Sequence, residues 1–209
     1  MIRIENVDVY GWEAAIRGMR NPKNSGDKSD TKYVTDENHP GHYFLVVGDN
    51  DLALMQTLAD AGTDHGKFLR MITVTADITS NHVWWAEFDT YKVGTVRNSC
   101  SKMHKIHAKT IAHEDFSFEG IREVGGVVTE TFERVGQTLE WLRTKYVNTG
   151  EKKYWRALIE LLPMGYNLRA TVQLNYAVSA ICTTHAAITS FPSGVPSVHG
   201  SKPYRMRNL

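Results

Sequence analysis

Residues 70–79 read RMITVTADIT, and this stretch decides how the rest of the chain is interpreted. Apolar and polar residues alternate along it, with Ile72, Val74, Ala76 and Ile78 in the apolar positions. A period of two is typical of a strand that buries one face and exposes the other. We therefore predict a half-buried strand here, the clearest strand in the chain.

The region before this strand mixes short strand and helix patterns. We predict a short strand over residues 1–9, a short helix over 13–19 and a buried strand, or the lead-in to a helix, over 43–47. Residues 21–36 (NPKNSGDKSDTKYVTD) are polar and rich in turn formers. A loop of that length in a compact domain is usually mobile or functional, and we expect the same here.

A clear helix signal begins at Asp51. Aspartate is a preferred N-cap residue, and Leu52, Met55 and Leu58 follow at helical spacing up to Gly62. We therefore predict a helix that Asp51 caps and Gly62 ends.

The second half of the chain carries mainly helical patterns. Residues 83–91 predict a helix with an aromatic face, and residues 124–147 predict an amphipathic helix that the NTG sequence ends. A second long helix is predicted over 151–162, before a proline. A third is predicted over 167–189, which is rich in Ala, Val and Thr and apolar on more than one side.

Length and composition indicate one soluble domain. The chain has 209 residues, of which 42% are hydrophobic and 22% charged, and its formal net charge is +1. We predict a single α+β domain over residues 1–190 and an extended tail over 191–209. The charge balance argues against a general nucleic-acid binder, although a local basic pocket for a phosphate is compatible with it.

Targeting and redox signals favour a cytoplasmic protein. Cys100 and Cys182 are too few for a disulfide framework, and free thiols are typical of a reducing compartment. No apolar run approaches the roughly 18 residues of a membrane span. The first residues also lack the apolar core of a signal peptide.

The usual catalytic templates are missing from the sequence. There is no phosphate-binding glycine loop, no dinucleotide GxGxxG and no GxSxG elbow. His104, His107 and His113 leave a metal-dependent hydrolase open as a remote alternative. Their spacing matches no standard site, and Lys102 and Lys105 would repel a cation, so we expect no metal.

Residues 97–102 (RNSCSK) combine an amide, small hydroxyls and cations. Such a cluster can hold a phosphate or a pyrimidine through hydrogen bonds, but it also suits a polar loop. Cys100 within it is a nucleophile only if a neighbouring cation favours its thiolate, and a buried inert cysteine is the commoner case. Arg169 and Asn175 lie in an apolar stretch, where each needs either a structural partner or a ligand.

Taken in order, these segments resemble the flavin-dependent thymidylate synthase family. Residues 54–71 look like the family's helix and the histidine motif after it, with His65 on the first histidine. Asn98 and Ser101 match the Asn-x-x-Ser end of the family signature, whose Arg-His-Arg part falls on residues 91–93. A Leu-Pro pair, Arg169 and Asn175 then follow the family's spacing, so that the resemblance covers residues 51–188.

The chain departs from the family pattern at its arginines. Residues 91–93 are Tyr-Lys-Val, and Met103 and Ala177 stand where the family has arginine. Ile159 occupies the position of the phosphate-binding arginine, with Arg156 one turn earlier on the same helical stripe. The resemblance therefore implies a retained scaffold with a rebuilt or lost cationic site.

The resemblance also implies a set of site residues. The implied FAD-binding residues are His65, Tyr91, Lys92, Asn98 and Asn175. The implied nucleotide-binding residues are Ser99, Ser101, Lys102, Arg156 and Arg169. No catalytic residue is assigned, because FAD carries out the redox chemistry while the protein positions and polarises the nucleotide.

For fold and function, the resemblance implies a small antiparallel sheet with several long helices and FAD-mediated C5 methylation, or a related change, of a pyrimidine nucleotide such as dUMP. NADPH and methylenetetrahydrofolate are the implied co-substrates, a homotetramer the implied assembly, and a phage or mobile element a suitable setting. The alternative is a catalytically inactive descendant of the fold that binds a nucleotide or a protein partner.

Overall fold

The computed structural model describes residues 2–36, 41, 43–101 and 105–178. Its helices are α1 (Trp12–Arg20), α2 (Asp49–Asp60), α3 (His82–Phe88), α4 (Glu119–Val124), α5 (Gly126–Thr149) and α6 (Lys152–Leu161). Its strands are β1 (Arg3–Tyr10), β2 (Lys32–Thr35), β3 (Tyr43–Val46), β4 (Thr73–Asn81), β5 (Val96–Ser99) and β6 (Asn167–Asn175). This mixture confirms the predicted α+β class, and β1, α1 and α3 confirm the predicted elements in their regions.

Strand β4 confirms the central prediction from the sequence. It is an inner strand of a four-stranded sheet with the order β1-β4-β6-β5. Its burial alternates along its whole length, and Val74, Ala76 and Ile78 are no more than 1% exposed. The period of two therefore reports one buried and one partly exposed face of the sheet.

Strand β6 corrects the predicted third helix. Residues 167–175 (NLRATVQLN) form an extended strand next to β4, not the start of a helix. Leu168, Ala170, Val172 and Leu174 are buried and alternate with more exposed side chains. Burial along this stretch has a period of two. The stretch has little charge and many apolar residues, so the sequence alone was mistaken for a helix buried on more than one side.

The N-terminal loop is shorter than predicted, because residues 32–35 form a strand. Strands β2 and β3 pair antiparallel, with Lys32 opposite Val46 and Thr35 opposite Tyr43. This result decides the alternatives for residues 43–47 in favour of a strand. All four residues of β2 are exposed, so burial does not set its position, and its alternation was too short to detect.

Helix α2 begins two residues before its predicted cap. Gly48 is the N-cap, and Asp51 lies inside the helix with a fully buried side chain. Capping is supplied from another segment, because the Asp30 carboxylate accepts the backbone amides of Asn50 at 2.9 Å and Asp51 at 3.1 Å. The prediction of Asp51 as the N-cap is therefore wrong, and its side chain instead accepts hydrogen bonds from residues outside the helix, such as Arg20.

Helices α5 and α6 confirm two predicted helices with small shifts at their ends. Leu139 of α5 and Leu158 of α6 are fully buried. Gly150 ends α5 with a left-handed φ of 71°, and its amide donates to the carbonyl of Tyr146 at 2.8 Å. Glycine is favoured there, because other side chains strain in that conformation.

The described residues divide into two compact units. The first unit contains residues 2–6, 76–92 and 96–172, with Ile78, Leu139 and Leu158 in its core. The second unit contains residues 7–75, 93–95 and 173–178, with Ile72 and Leu174 in its core. Each unit therefore buries an apolar core of its own.

Some expectations from the sequence fall on other parts of the chain. The tail over 191–209, Cys182 and the predicted third helix after Val178 lie outside the described residues. Within the described ranges, no helix has both the length and the apolar character needed to span a bilayer.

Candidate functional site

The polar segment that contains Asn98 and Ser101 lies along an edge of the sheet in the first unit. All four residues of β5 are exposed, including Asn98 and Ser99. The Cys100 amide donates to the Arg169 carbonyl at 3.2 Å, which continues the pairing of β5 with β6. The structure therefore brings Asn98, Ser99 and the exposed Ser101 alongside the backbone of Arg169.

Arg97 is the cation held most firmly at this edge. Its guanidinium carbon lies 4.8 Å from the ring centroid of Trp85, and its Nη1 lies 3.0 Å from a carboxylate oxygen of Asp89. The Trp85 ring is fixed in turn, because its Nε1 donates to the Leu168 carbonyl at 3.2 Å. A cation–π contact and an ion pair thus orient Arg97 beside Asn98.

Arg169 already has a carboxylate partner. Its Nη2 donates to Asp77 Oδ2 at 2.8 Å, and Asp77 also accepts from Thr171 Oγ1 at 2.5 Å and Asn6 Nδ2 at 2.8 Å. The Arg169 side chain is half exposed, at 52%. Its charge is therefore balanced within the protein, and a nucleotide phosphate would have to compete with Asp77 for it.

The Asp77 carboxylate is strongly held in its ionised form. Hydrogen bonds from Thr171, Asn6 and Arg169 lower its pKa to about 2. They outweigh the small effect of burial, which acts in the opposite direction. Asp77 is thus anionic at neutral pH and keeps Arg169 paired.

Two predicted FAD-binding residues follow helix α3 in the first unit. Tyr91 is partly exposed, and its hydroxyl donates to Glu87 Oε1 at 3.3 Å. Lys92 is exposed. After α3, the chain therefore offers one phenol and one ammonium group.

Besides Asn98 on β5, the remaining predicted FAD-binding residues, His65 and Asn175, lie in the second unit. His65 is exposed and precedes a 3-10 turn. Asn175 ends β6, and its Oδ1 accepts the Val178 amide at 3.1 Å. Its Nδ2 lies against Gly94, where an added Cβ would collide with it, and Gly94 has a φ of +76°. A side chain at position 94 would therefore displace the Asn175 amide.

The remaining predicted residues are scattered or not described. Arg156 is exposed on α6, and Lys102 lies outside the described residues. Cys100 is an exposed free thiol, so the expectation of a buried inert cysteine is wrong. Cys100 directly follows β5, and all four residues of that strand are exposed.

The histidines considered for a metal site are engaged in aromatic contacts. The His107 ring lies 5.1 Å from that of Tyr146, and the His113 ring lies 4.3 Å from that of Phe118. His104 is outside the described residues. Over the ranges that the structure covers, no three His, Cys, Asp or Glu side chains are arranged to hold a metal ion.

Sequence reasoning missed a cavity of about 510 Å³ beside helix α5. Phe116 and Phe132 meet edge to face at 5.4 Å in its wall. Glu140 lies at its other side and accepts from Arg143 and from the Ile111 amide. The four-residue spacing of Phe132, Gly136 and Glu140 along α5 was the available signal, but it cannot be told from an ordinary core pattern.

Known proteins resemble this chain in structure but not in sequence. No protein-family model matches the sequence, and no curated protein matches it significantly. Solved structures do match. The flavin-dependent thymidylate synthase ThyX from Helicobacter pylori, complexed with FAD and dUMP, superposes with a TM-score of 0.62 at 12% identity, over 90% of this chain and 86% of that one.

A second group of similar structures is named as a methylase. The UMP/dUMP methylase PolB from Streptomyces cacaoi, bound with 5-Br UMP, gives a TM-score of 0.54 at 11% identity, over 88% of this chain and 76% of that one. Likeness at this identity reports architecture and not chemistry. The chain therefore has a divergent version of the fold of the flavin-dependent thymidylate synthases.

Proposed function

We propose that this protein binds FAD and a pyrimidine nucleotide such as dUMP and alters the nucleotide at C5. The observation that carries the proposal is the likeness of nearly the whole chain to ThyX from Helicobacter pylori, which was solved with FAD and dUMP. PolB from Streptomyces cacaoi, which is named as a UMP/dUMP methylase, supports the same substrate class.

The residues of the second unit fit a flavin in one respect. Because Gly94 has no Cβ, the Asn175 Nδ2 group occupies the space that a Cβ would fill and lies as a donor beside the exposed backbone of Gly94. His65 adds an exposed imidazole. When bound and reduced by NADPH, FAD would supply the hydride that completes a C5 methyl group. Methylenetetrahydrofolate would give the carbon and leave as tetrahydrofolate, while the C5 hydrogen leaves as a proton.

In the first unit, the proposed FAD contacts are Tyr91, Lys92 and Asn98. Asn98 and its neighbours on β5 also offer amide and hydroxyl groups to a pyrimidine edge or a phosphate. Ser99 and Ser101 are the proposed hydroxyl donors, and Lys102 and Arg156 the proposed phosphate cations. Arg169 contributes only if the nucleotide draws it away from Asp77.

The proposed setting follows the same likeness. We propose a homotetramer in the cytoplasm, encoded by a phage or a mobile element, with NADPH and the folate as co-substrates. Size-exclusion chromatography with light scattering tests the assembly directly, and a monomer at micromolar concentration would contradict it.

Titration of the purified protein with FAD, followed by absorbance and calorimetry with and without dUMP, tests the function. We expect stoichiometric FAD binding that dUMP strengthens or perturbs. Lys92→Ala should weaken FAD binding, whereas Lys152→Ala, which removes an exposed lysine of α6, should leave it unchanged. Equal affinity in the two variants would remove Lys92 from the site, and no binding of either ligand by the wild type would contradict the proposal.

The Arg169–Asp77 pair favours a second candidate function, a descendant that binds a nucleotide only weakly and without catalysis. An arginine that is neutralised internally gives less attraction to a phosphate than a free one, so the nucleotide would be held by the remaining polar groups. This candidate predicts dUMP binding without product when FAD, NADPH and methylenetetrahydrofolate are all supplied. Formation of a methylated nucleotide in that assay would exclude it.

A further inference from the structure

A second cavity, of about 460 Å³, lies in the second unit between the end of α1 and the start of α2. Three of its lining residues are cationic, and none is acidic. The lining residues are Arg20, Lys23, Ser25, Lys28, Asn50 and Leu54. A cavity with this lining suits an anion, because Lys23 and Lys28 add attraction that no carboxylate in the described wall cancels, while the charge of Arg20 is balanced by Asp51.

Arg20 is the lining residue that hydrogen bonds hold in a fixed orientation. Its side chain is only 5% exposed, yet it lines the space. Nε donates to Asp51 Oδ1 at 2.6 Å and Nη1 donates to the Ser25 carbonyl at 3.3 Å. Nη2 is buried and has no hydrogen-bond partner within the described part of the chain. A buried guanidinium nitrogen without an acceptor is costly, and because Nη2 is closed to solvent, an oxygen anion would satisfy it only after the wall around Arg20 moves.

The partner of Arg20 cannot serve as the missing acceptor. Asp51 is fully buried, and it accepts from Ser29 Oγ at 2.7 Å and Thr31 Oγ1 at 2.6 Å as well as from Arg20. Burial disfavours its charge, but the hydrogen bonds from Thr31, Ser29 and Arg20 outweigh burial and lower its pKa. The carboxylate is therefore ionised and occupied on both oxygens, and it holds Arg20 in one orientation.

The start of α2 is not what would bind the anion. The Asp30 carboxylate already accepts the backbone amides of Asn50 and Asp51. Attraction at this cavity therefore has to come from side chains, namely the buried guanidinium and the exposed ammonium groups of Lys23 and Lys28. Both lysines lie on the turns that follow α1. Backbone hydrogen bonds hold these turns: the Ser25 amide donates to the Arg20 carbonyl, and the Lys28 amide donates to the Ser25 carbonyl.

We propose that this cavity is a binding site for the phosphate group of a phosphate ester. The Arg20 Nη2 group and the two ammonium groups would meet the phosphate oxygens, and Ser25 and Asn50 add polar groups to the wall. Leu54 gives one apolar contact for the carbon skeleton of the ester. The site is distinct from the sheet edge that carries Asn98 and Ser101, and the inference does not depend on the proposed activity.

Calorimetric titration of the whole chain with inorganic phosphate tests the site. We expect saturable binding that falls about tenfold or more in Lys23→Gln/Lys28→Gln, since the double variant removes two charge-assisted contacts. The control Lys152→Gln, an exposed lysine of α6 outside the cavity, should change the affinity less than twofold. No binding by the wild type, or equal affinity in the double variant and the control, would overturn the proposal.

Two organic probes identify the source of the phosphate. A lysine-dependent affinity for dUMP, absent for deoxyuridine, assigns a mononucleotide phosphate. A lysine-dependent affinity for FAD, absent for riboflavin, assigns the pyrophosphate of a dinucleotide. A nuclear magnetic resonance titration gives a second readout: the Arg20 Nε–H signal should shift with phosphate in the wild type, and an unchanged signal at saturation would overturn the role of Arg20.

Discussion

Arg20 and Asp51 form a buried ion pair in which Nε donates to Oδ1 at 2.6 Å, with the two side chains 5% and 0% exposed. The pair joins the end of α1 to the first turn of α2, and Asp51 also holds Ser29 and Thr31 of the intervening loop. One carboxylate thus fixes three segments that are distant along the chain. A replacement of either charge would leave the other buried without its partner.

The first prediction concerns this pair. Arg20→Ala should lower the free energy of unfolding by about 3–5 kcal/mol, because the Asp51 charge loses its only cationic partner in the described contacts. The control Arg17→Ala removes an exposed arginine of the same helix and should stay within about 0.5 kcal/mol of the wild type. Urea unfolding followed by circular dichroism measures both, and similar values for the two variants would contradict the prediction.

The second prediction concerns acid stability. The pKa of Asp77 is lowered to about 2 in the folded protein, so its ionised form stabilises the fold above the unfolded value near 4. That stabilisation should be lost as the pH falls from about 4 to about 2, and Asp77→Asn should lack this part of the pH dependence. Urea midpoints at pH 5, 3.5 and 2.5 measure the difference.

The control for this series is Asp60→Asn, which removes an exposed carboxylate at the end of α2. The wild type and the control should lose stability in parallel over the acid range. If Asp77→Asn follows them with the same slope, the hydrogen bonds from Thr171, Asn6 and Arg169 do not stabilise the ionised form as described.

The third prediction uses two glycines with opposite expectations. Gly94→Ala should cost about 1–2 kcal/mol, because its φ of +76° disfavours a side chain and the new Cβ meets Asn175 Nδ2. Gly136→Ala, inside α5 with open space around the new Cβ, should instead stabilise the protein by about 0.5–1 kcal/mol. Thermal unfolding of the two variants measures the change in stability, and a change of the same sign in both would contradict the prediction.

The fourth prediction tests the core of the first unit. Leu139 is fully buried on α5, so Leu139→Ala should cost about 2–5 kcal/mol through lost apolar contact and the cavity left behind. Val127 lies on the same helix with 73% of its surface exposed, and Val127→Ala should change stability by less than about 0.5 kcal/mol. A cost below 1 kcal/mol for the first variant would show that α5 does not bury Leu139 as described.

The fold was predictable where burial imposes a clear period. β4 alternates between apolar and small polar residues, and the structure places a strand there. β6 alternates as well, but its exposed positions include threonine and glutamine among apolar neighbours, which resembles a buried helix. β2 has four exposed residues, and only its pairing with β3 makes it a strand. Tertiary pairing of this kind leaves little trace in a single sequence.

The candidate site was less predictable than the fold. The β5 residues Asn98 and Ser99 were identified by their chemistry and by a motif, and the structure places them at an exposed edge. The partners of Arg169 and Arg20 could not be inferred, because Asp77 and Asp51 lie 92 and 31 residues away along the chain. Without coordinates, Arg169 is a free cation and Asp51 is only a good helix cap.

The position of β6 between β4 and β5 also bears on how this chain is made. Thr171 and Asp77 bond across a separation of 94 residues, so a long stretch of chain is synthesised between β4 and its neighbour β6. During that interval, one edge of β4 is open to pairing with other chains. Contacts of such long range also slow folding in a test tube. A chain cut before Asn167 should therefore aggregate, whereas one cut after the last described residue keeps every strand of the sheet.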